Sequence, residues 1–197
     1  MLHQKTIRAS WLLAGALLFS AAAFAQDGKV EVAGFGGGLA MTGAGVNALA
    51  GGSGDVRVTD NLRVFGEFTY SPLSSLAASA ANEASALTGV NVTAHVKLFD
   101  FGGGIDYSFG SSKVRPYALV ALGVGHTSVS ATATVDGVSG TGSSSTDSAY
   151  VGVGGGVRIY AGQNWGIKPE FRYQRYGGSL ASNSAVFTVG LFYQFGK

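Results

Sequence analysis

The chain has 197 residues, with 13 Lys plus Arg, 11 Asp plus Glu, 32 glycines, three prolines and no cysteine. A disulfide framework is therefore excluded, and beyond the N-terminal segment no apolar stretch is long enough for a spanning helix. Lys5 and Arg8 account for the whole positive excess, so the remainder is neutral with His uncharged. It carries no basic patch suited to nucleic acid.

The first 25 residues have the features of an export signal. Lys5 and Arg8 form a positive start, Trp11 to Phe19 and the following alanines form an apolar middle, and Ala23-Phe24-Ala25 is a small-x-small cleavage site. A permanent anchor is the alternative, but the run is short for a span and has no basic flank to stop transfer. Residues 1–25 are expected to be a cleaved signal peptide, and residues 26–197 a single domain.

The domain reads as eight strand-like segments: 29–41, 46–59, 62–70, 95–109, 117–129, 149–161, 166–176 and 185–195. In the second, Val46, Ala48, Ala50, Val56 and Val58 oppose Asn47, Ser53, Asp55 and Arg57. In the third, Leu62, Val64, Phe68 and Tyr70 oppose Arg63, Phe65, Glu67 and Thr69. In the fourth, Phe99, Phe101, Ile105, Tyr107 and Phe109 alternate with Asp100, Gly102, Gly104, Asp106 and Ser108. The fifth has Val120, Leu122 and Val124 on one face, and the sixth sets Val151, Val153, Val157 and Ile159 against Tyr150, three glycines, Arg158 and Tyr160.

The seventh is the most regular. Ile167, Pro169, Phe171 and Tyr173 share one face, while Lys168, Glu170, Arg172 and Gln174 share the other, because successive side chains of a strand point to opposite sides. The eighth sets Phe187, Val189, Leu191, Tyr193 and Phe195 against Thr188, Gly190 and Gln194.

Connections 60–61, 110–116 and 162–165 are short, whereas 71–94, 130–148 and 177–184 are longer; 42–45 is short where a long one is expected. Such alternation fits a barrel with one end toward the periplasm and the other outside. Residues 74–87 place Leu76, Ala77, Ala80, Ala84 and Leu87 at helical spacing, predicting a helix across the barrel mouth. Val135-Asp136-Gly137-Val138 is a hairpin signal that lets the fifth and sixth strands project beyond the membrane.

Soluble sandwiches and lipocalin-like barrels also show alternating strands. The charged residues decide against both. Asp55, Arg57, Arg63, Glu67, Asp100, Asp106, Arg158, Lys168, Glu170 and Arg172 all lie opposite the aromatic faces. Long ions of both signs can pair inside a narrow lumen if small residues alternate with them, which accounts for the glycines. The expectation is an all-β fold: a transmembrane antiparallel up-and-down β-barrel of eight strands.

Three runs carry a family resemblance: Phe99-Asp100-Phe101-Gly102-Gly103-Gly104-Ile105-Asp106-Tyr107, Arg115-Pro116-Tyr117 and Gly123-Val124-Gly125. They resemble the small eight-stranded outer-membrane β-barrels of Gram-negative bacteria, including the opacity-protein and OmpX-like barrels. The Gly152 to Val157 run and the aromatic final strand fit the same pattern, and the resemblance extends over residues 29–197. It implies a place in the outer membrane, among its lipids and lipopolysaccharide, reached through the barrel-assembly machinery acting on the C-terminal strand. Family members usually end on an aromatic residue, whereas here Gly196 and Lys197 follow Phe195. The pattern specifies a fold and leaves activity open.

Among the residues, His126-Thr127-Ser128 is the one stretch that resembles catalysis, since lipid A deacylases of similar build use a His-x-Ser pair on a strand. Val129 follows here where that family has asparagine, and the nearest downstream carboxylate is Asp136. His95 and His126 are too few for a metal site, and the glycine runs at 34–38 and 152–156 lack the helix and Lys-Ser/Thr of a phosphate loop. Aromatic residues near strand ends, Trp165 among them, are read as interfacial girdles. The expectation is a monomeric, non-enzymatic envelope protein without cofactor, its lumen filled by paired polar side chains. A lipid A-modifying hydrolase and a narrow porin-like channel are the alternatives.

Overall fold

The computed structural model describes residues 30–135, 138–178 and 181–196. The export signal expected over residues 1–25 lies outside the described residues, as do Asp136 and Gly137 of the predicted hairpin turn. The chain runs through β1 (Val30–Met41), β2 (Gly45–Arg57), β3 (Leu62–Pro72), α1 (Ser74–Thr88), β4 (Asn91–Ser108), β5 (Val114–Val135), β6 (Val138–Tyr160), β7 (Trp165–Tyr176) and β8 (Asn183–Phe195). Every strand pairs antiparallel with its neighbours in sequence, and β1 pairs with β8 from Val30↔Phe195 to Met41↔Ser184. The sheet is thus a closed barrel without a free edge around its waist, the one sheet form that satisfies all backbone groups in lipid.

Side-chain alternation sets which way each strand faces. On β4, Phe101, Ile105 and Tyr107 are 42%, 49% and 46% exposed, while the intervening Asp100 and Asp106 are buried. On β7, Phe171 and Tyr173 face out, and Arg172 and Gln174 are buried within. Pro169 sits where the β6–β7 ladder skips Val157 and Arg158, consistent with its missing N–H.

The strands are longer than their hydropathy shows. β4 begins at Asn91 and pairs as far as Asn91↔Thr134, so residues 91–94 are strand. The stretch 130–148, expected as a long loop, is mostly strand, because β5 and β6 stay in register to Val135↔Val138. The turn expected over 110–116 is also shorter, since β5 begins at Val114.

The predicted helix is present as α1 and seats its first turn at the rim. Ser75 N–H donates to Asn47 Oδ1 at 3.1 Å, and Gly89 closes the far end with φ 68°. Leu73 and Ala77 are buried, but Leu87 is 80% exposed. The helix therefore lies beside β4 with only its beginning over the mouth.

Candidate functional site

The lumen has a polar half and an apolar half. Near the chain termini Glu31 is a hub: Arg63 Nη1 reaches Oε2 at 2.6 Å, Arg158 Nε reaches Oε1 at 3.1 Å, and Gln194 Nε2 reaches Oε2 at 2.7 Å. Arg158 also donates to both oxygens of Asp106, at 3.0 and 2.8 Å, and to Ser108 Oγ at 3.1 Å. Lys168 Nζ stands 3.7 Å from Asp55 and 3.9 Å from Glu31. The Arg158 guanidinium lies over the Tyr117 ring, 4.5 Å from its centre.

Farther along the axis Arg172 pairs with Glu67 and with Glu170, and Tyr117 donates to Glu170 at 2.7 Å. Asp100 accepts from Tyr176 at 2.9 Å and from Thr69 at 3.2 Å. Beyond it the interior turns apolar, where Leu39, Met41, Leu49, Leu73, Leu98 and Val186 pack with Tyr150 and Tyr176. A cavity of about 30 Å³ remains between Glu67, Lys168, Arg172 and Thr188, space on the scale of a bound water.

All ten charged residues expected on the inner face are found there or half-buried at its rim, and nine belong to this array. Arg57 stands apart from it, half-buried at the turn end. Sequence reading missed the hub itself. Glu31 lies between Val30 and Val32, a signal of alternation that the glycines at 34 and 36–38 obscure. It also missed the apolar cap, because the lumen was expected to be polar throughout.

His126 and Ser128 fall on the outer face of β5, paired across strands with Phe99 and Lys97 of β4. The carboxylate beside the imidazole is Asp147, brought there by the strand register, and not Asp136, the nearest downstream in sequence. His126 pairs across strands with Asp147, and His126 Nδ1 lies 2.6 Å from Asp147 Oδ1. Both side chains are open to solvent, and no hydrogen bond joins His126 to Ser128 among the described residues. A carboxylate and an imidazole are present, but no formed nucleophile. No cluster of three metal-ligating side chains occurs among the described residues.

A closed antiparallel wall with aromatics outside and buried ion pairs inside defines a transmembrane β-barrel of eight strands. The model of the outer membrane protein beta-barrel domain matches residues 11–195, and the chain belongs to that family.

Solved structures agree on the fold. Neisserial surface protein A is 18% identical, with 85% of this chain and 97% of that one covered at a TM-score of 0.52. Ail, the attachment invasion locus protein of Yersinia pestis, is 14% identical, with 86% and 100% covered at 0.56. OprG from Pseudomonas aeruginosa is 12% identical, with 87% and 97% covered at 0.52. No curated protein matches the chain.

Proposed function

We propose that this outer-membrane barrel serves surface contact, with its wall as anchor and the projecting ends of β4, β5 and β6 as the contact element. One observation carries the reading. β7 stops pairing with β6 at Tyr150↔Tyr176, while β6 continues paired with β5 to Val138↔Val135. Gly177 N–H still donates to Ala149 O at 2.8 Å, and beyond it the stretch from Val138 to Ser148 is a free strand edge on a three-stranded blade. It contains no proline and no lysine, the usual protections of an edge. An extended segment of a partner can add to such an edge through backbone hydrogen bonds. Asp136 and Asp147 are the charged residues between Thr127 and Ala149, so the free edge on β6 does not suit a polyanion.

In this reading the termini and short turns face the periplasm, the signal at residues 1–25 is cleaved, and the barrel is a monomer that the assembly machinery inserts through β8. The lumen is closed to ions, since the arginine-centred pairs and the apolar cap fill it. The test is to replace residues 131–142 with an Asn-Gly turn joining Ser130 to Ser143, which are already paired. Cells displaying the wild-type chain are expected to bind members of an extracellular-protein array, and trimmed cells to lose that binding. Equal binding by both sinks the reading.

The Asp147–His126 pair favours a second reading, a hydrolase acting on lipid A with Ser128 as nucleophile. The exposure of the pair and its separation from Ser128 weigh against it. An altered lipid A acylation pattern in a Ser128→Ala strain would restore the enzyme reading, and an unchanged pattern removes it.

A further inference from the structure

Between α1 and the upper part of β4 runs a trough of about 430 Å³ that none of the described residues fills, within the ~300–1,000 Å³ range of small-ligand sites. Ala77, Ala78 and Ala81 form its helical wall, Tyr70 and Pro72 its lower end, and His95 and Lys97 its opposite side. Its position follows from the strand register. Phe99 and Tyr107 both face lipid, and about 20 Å of membrane height separates them at ~3.3 Å per residue and ~40° tilt. Phe99 packs against Tyr70 with ring centres 5.0 Å apart, marking the upper aromatic girdle. Lys97 and His95 follow Phe99 at the next two outward positions, at headgroup height.

The trough therefore continues the lipid-facing belt at its floor and presents two basic side chains above it. Glu83, the one acidic residue of α1, is not among its lining residues. We propose that the trough seats the phosphorylated headgroup of an outer-leaflet glycolipid. A phosphate rests on Lys97 and His95, and the adjoining hydrocarbon rests on Tyr70 and Pro72. Apolar continuity with the belt selects a lipid over a free anion, and the two bases select a phosphate over a neutral head. The inference rests on the orientation given under the proposed function, with α1 at the outer surface.

The test measures binding of bis-phosphorylated lipid A to the folded barrel in detergent micelles, beside phosphate-free lipid A and inorganic phosphate. The wild type is expected to bind the phosphorylated form about tenfold more tightly than the phosphate-free one. Lys97→Ala is expected to remove that preference, and Ala81→Phe, which fills the trough, to abolish binding of both. Leu87→Ala, on the open side of α1, should leave affinity unchanged. Folding of each variant is read from its heat-modifiable gel shift, and Lys97→Ala alone decides if Ala81→Phe does not fold.

Wild-type affinity in Lys97→Ala, or full displacement of the lipid by inorganic phosphate, overturns the proposal. Micelle binding does not depend on orientation, so its failure is separable from a failure of the surface-contact reading.

Discussion

Arg158 is completely buried, touches Glu31, Asp106 and Ser108, and lies over Tyr117. A cation in that position is stable only because each donor meets an acceptor, and the surrounding carboxylates depend on it equally. Arg158→Met keeps the volume but leaves Asp106 without its bidentate partner, while Arg63 still holds Glu31. The expected cost is about 3–5 kcal/mol, seen as barrel unfolding at lower urea with the gel shift as readout. An unchanged midpoint would show that the lumen is solvated enough to tolerate an unpaired carboxylate.

The outer face makes the opposite prediction for added charge. Leu122 is 66% exposed on the lipid side of β5. A solvent-facing Leu→Arg change is normally within about 0.5 kcal/mol, whereas at mid-membrane height it costs about 2–4 kcal/mol. Refolding of Leu122→Arg into lipid vesicles measures which holds.

At the scale of elements, α1 matters through its first turn. Leu73 has no exposed surface and closes the apolar cap above Leu39, Leu49 and Leu98. Leu73→Ala is expected to lose about 2–5 kcal/mol of barrel stability in the same urea titration. The first half of the helix also lines the trough, through Ala77, Ala78 and Ala81, and its exposed far end contributes little to either.

The elements also show where sequence reading stops. The membrane-spanning portions were legible because lipid imposes apolar side chains on one face, as Phe99 to Tyr107 and Ile167 to Tyr173 display. Above the membrane that constraint ends, and the Ser, Thr, Ala and Gly of 130–148 show no hydropathy period although they are paired strand. Asp147 was missed for a related reason. It meets His126 only through the β5–β6 register, across 21 residues of sequence. The apolar cap escaped because Leu49, Leu98 and Val186 lie on inner faces, where polar residues were expected.

For the whole molecule, the closed ring and the ion pairs along its axis predict an anchor that does not conduct. Planar-bilayer recordings of the purified barrel are expected to show no discrete steps. The Arg172→Ala, Glu67→Ala double variant is expected to stay closed as well, because the Arg158 hub and the apolar cap remain. Discrete steps in the wild type would instead make the chain a channel.

The surface-contact account stands or falls on which end of the barrel faces outward. The native chain has no cysteine, so a single introduced thiol reports its own position without background. Ser143 lies on the blade and Ser111 in a short turn at the opposite end, both exposed. In intact cells, a membrane-impermeant maleimide is predicted to label Ser143→Cys and to leave Ser111→Cys unlabelled until the envelope is opened. Labelling of Ser111→Cys with protection of Ser143→Cys would contradict it.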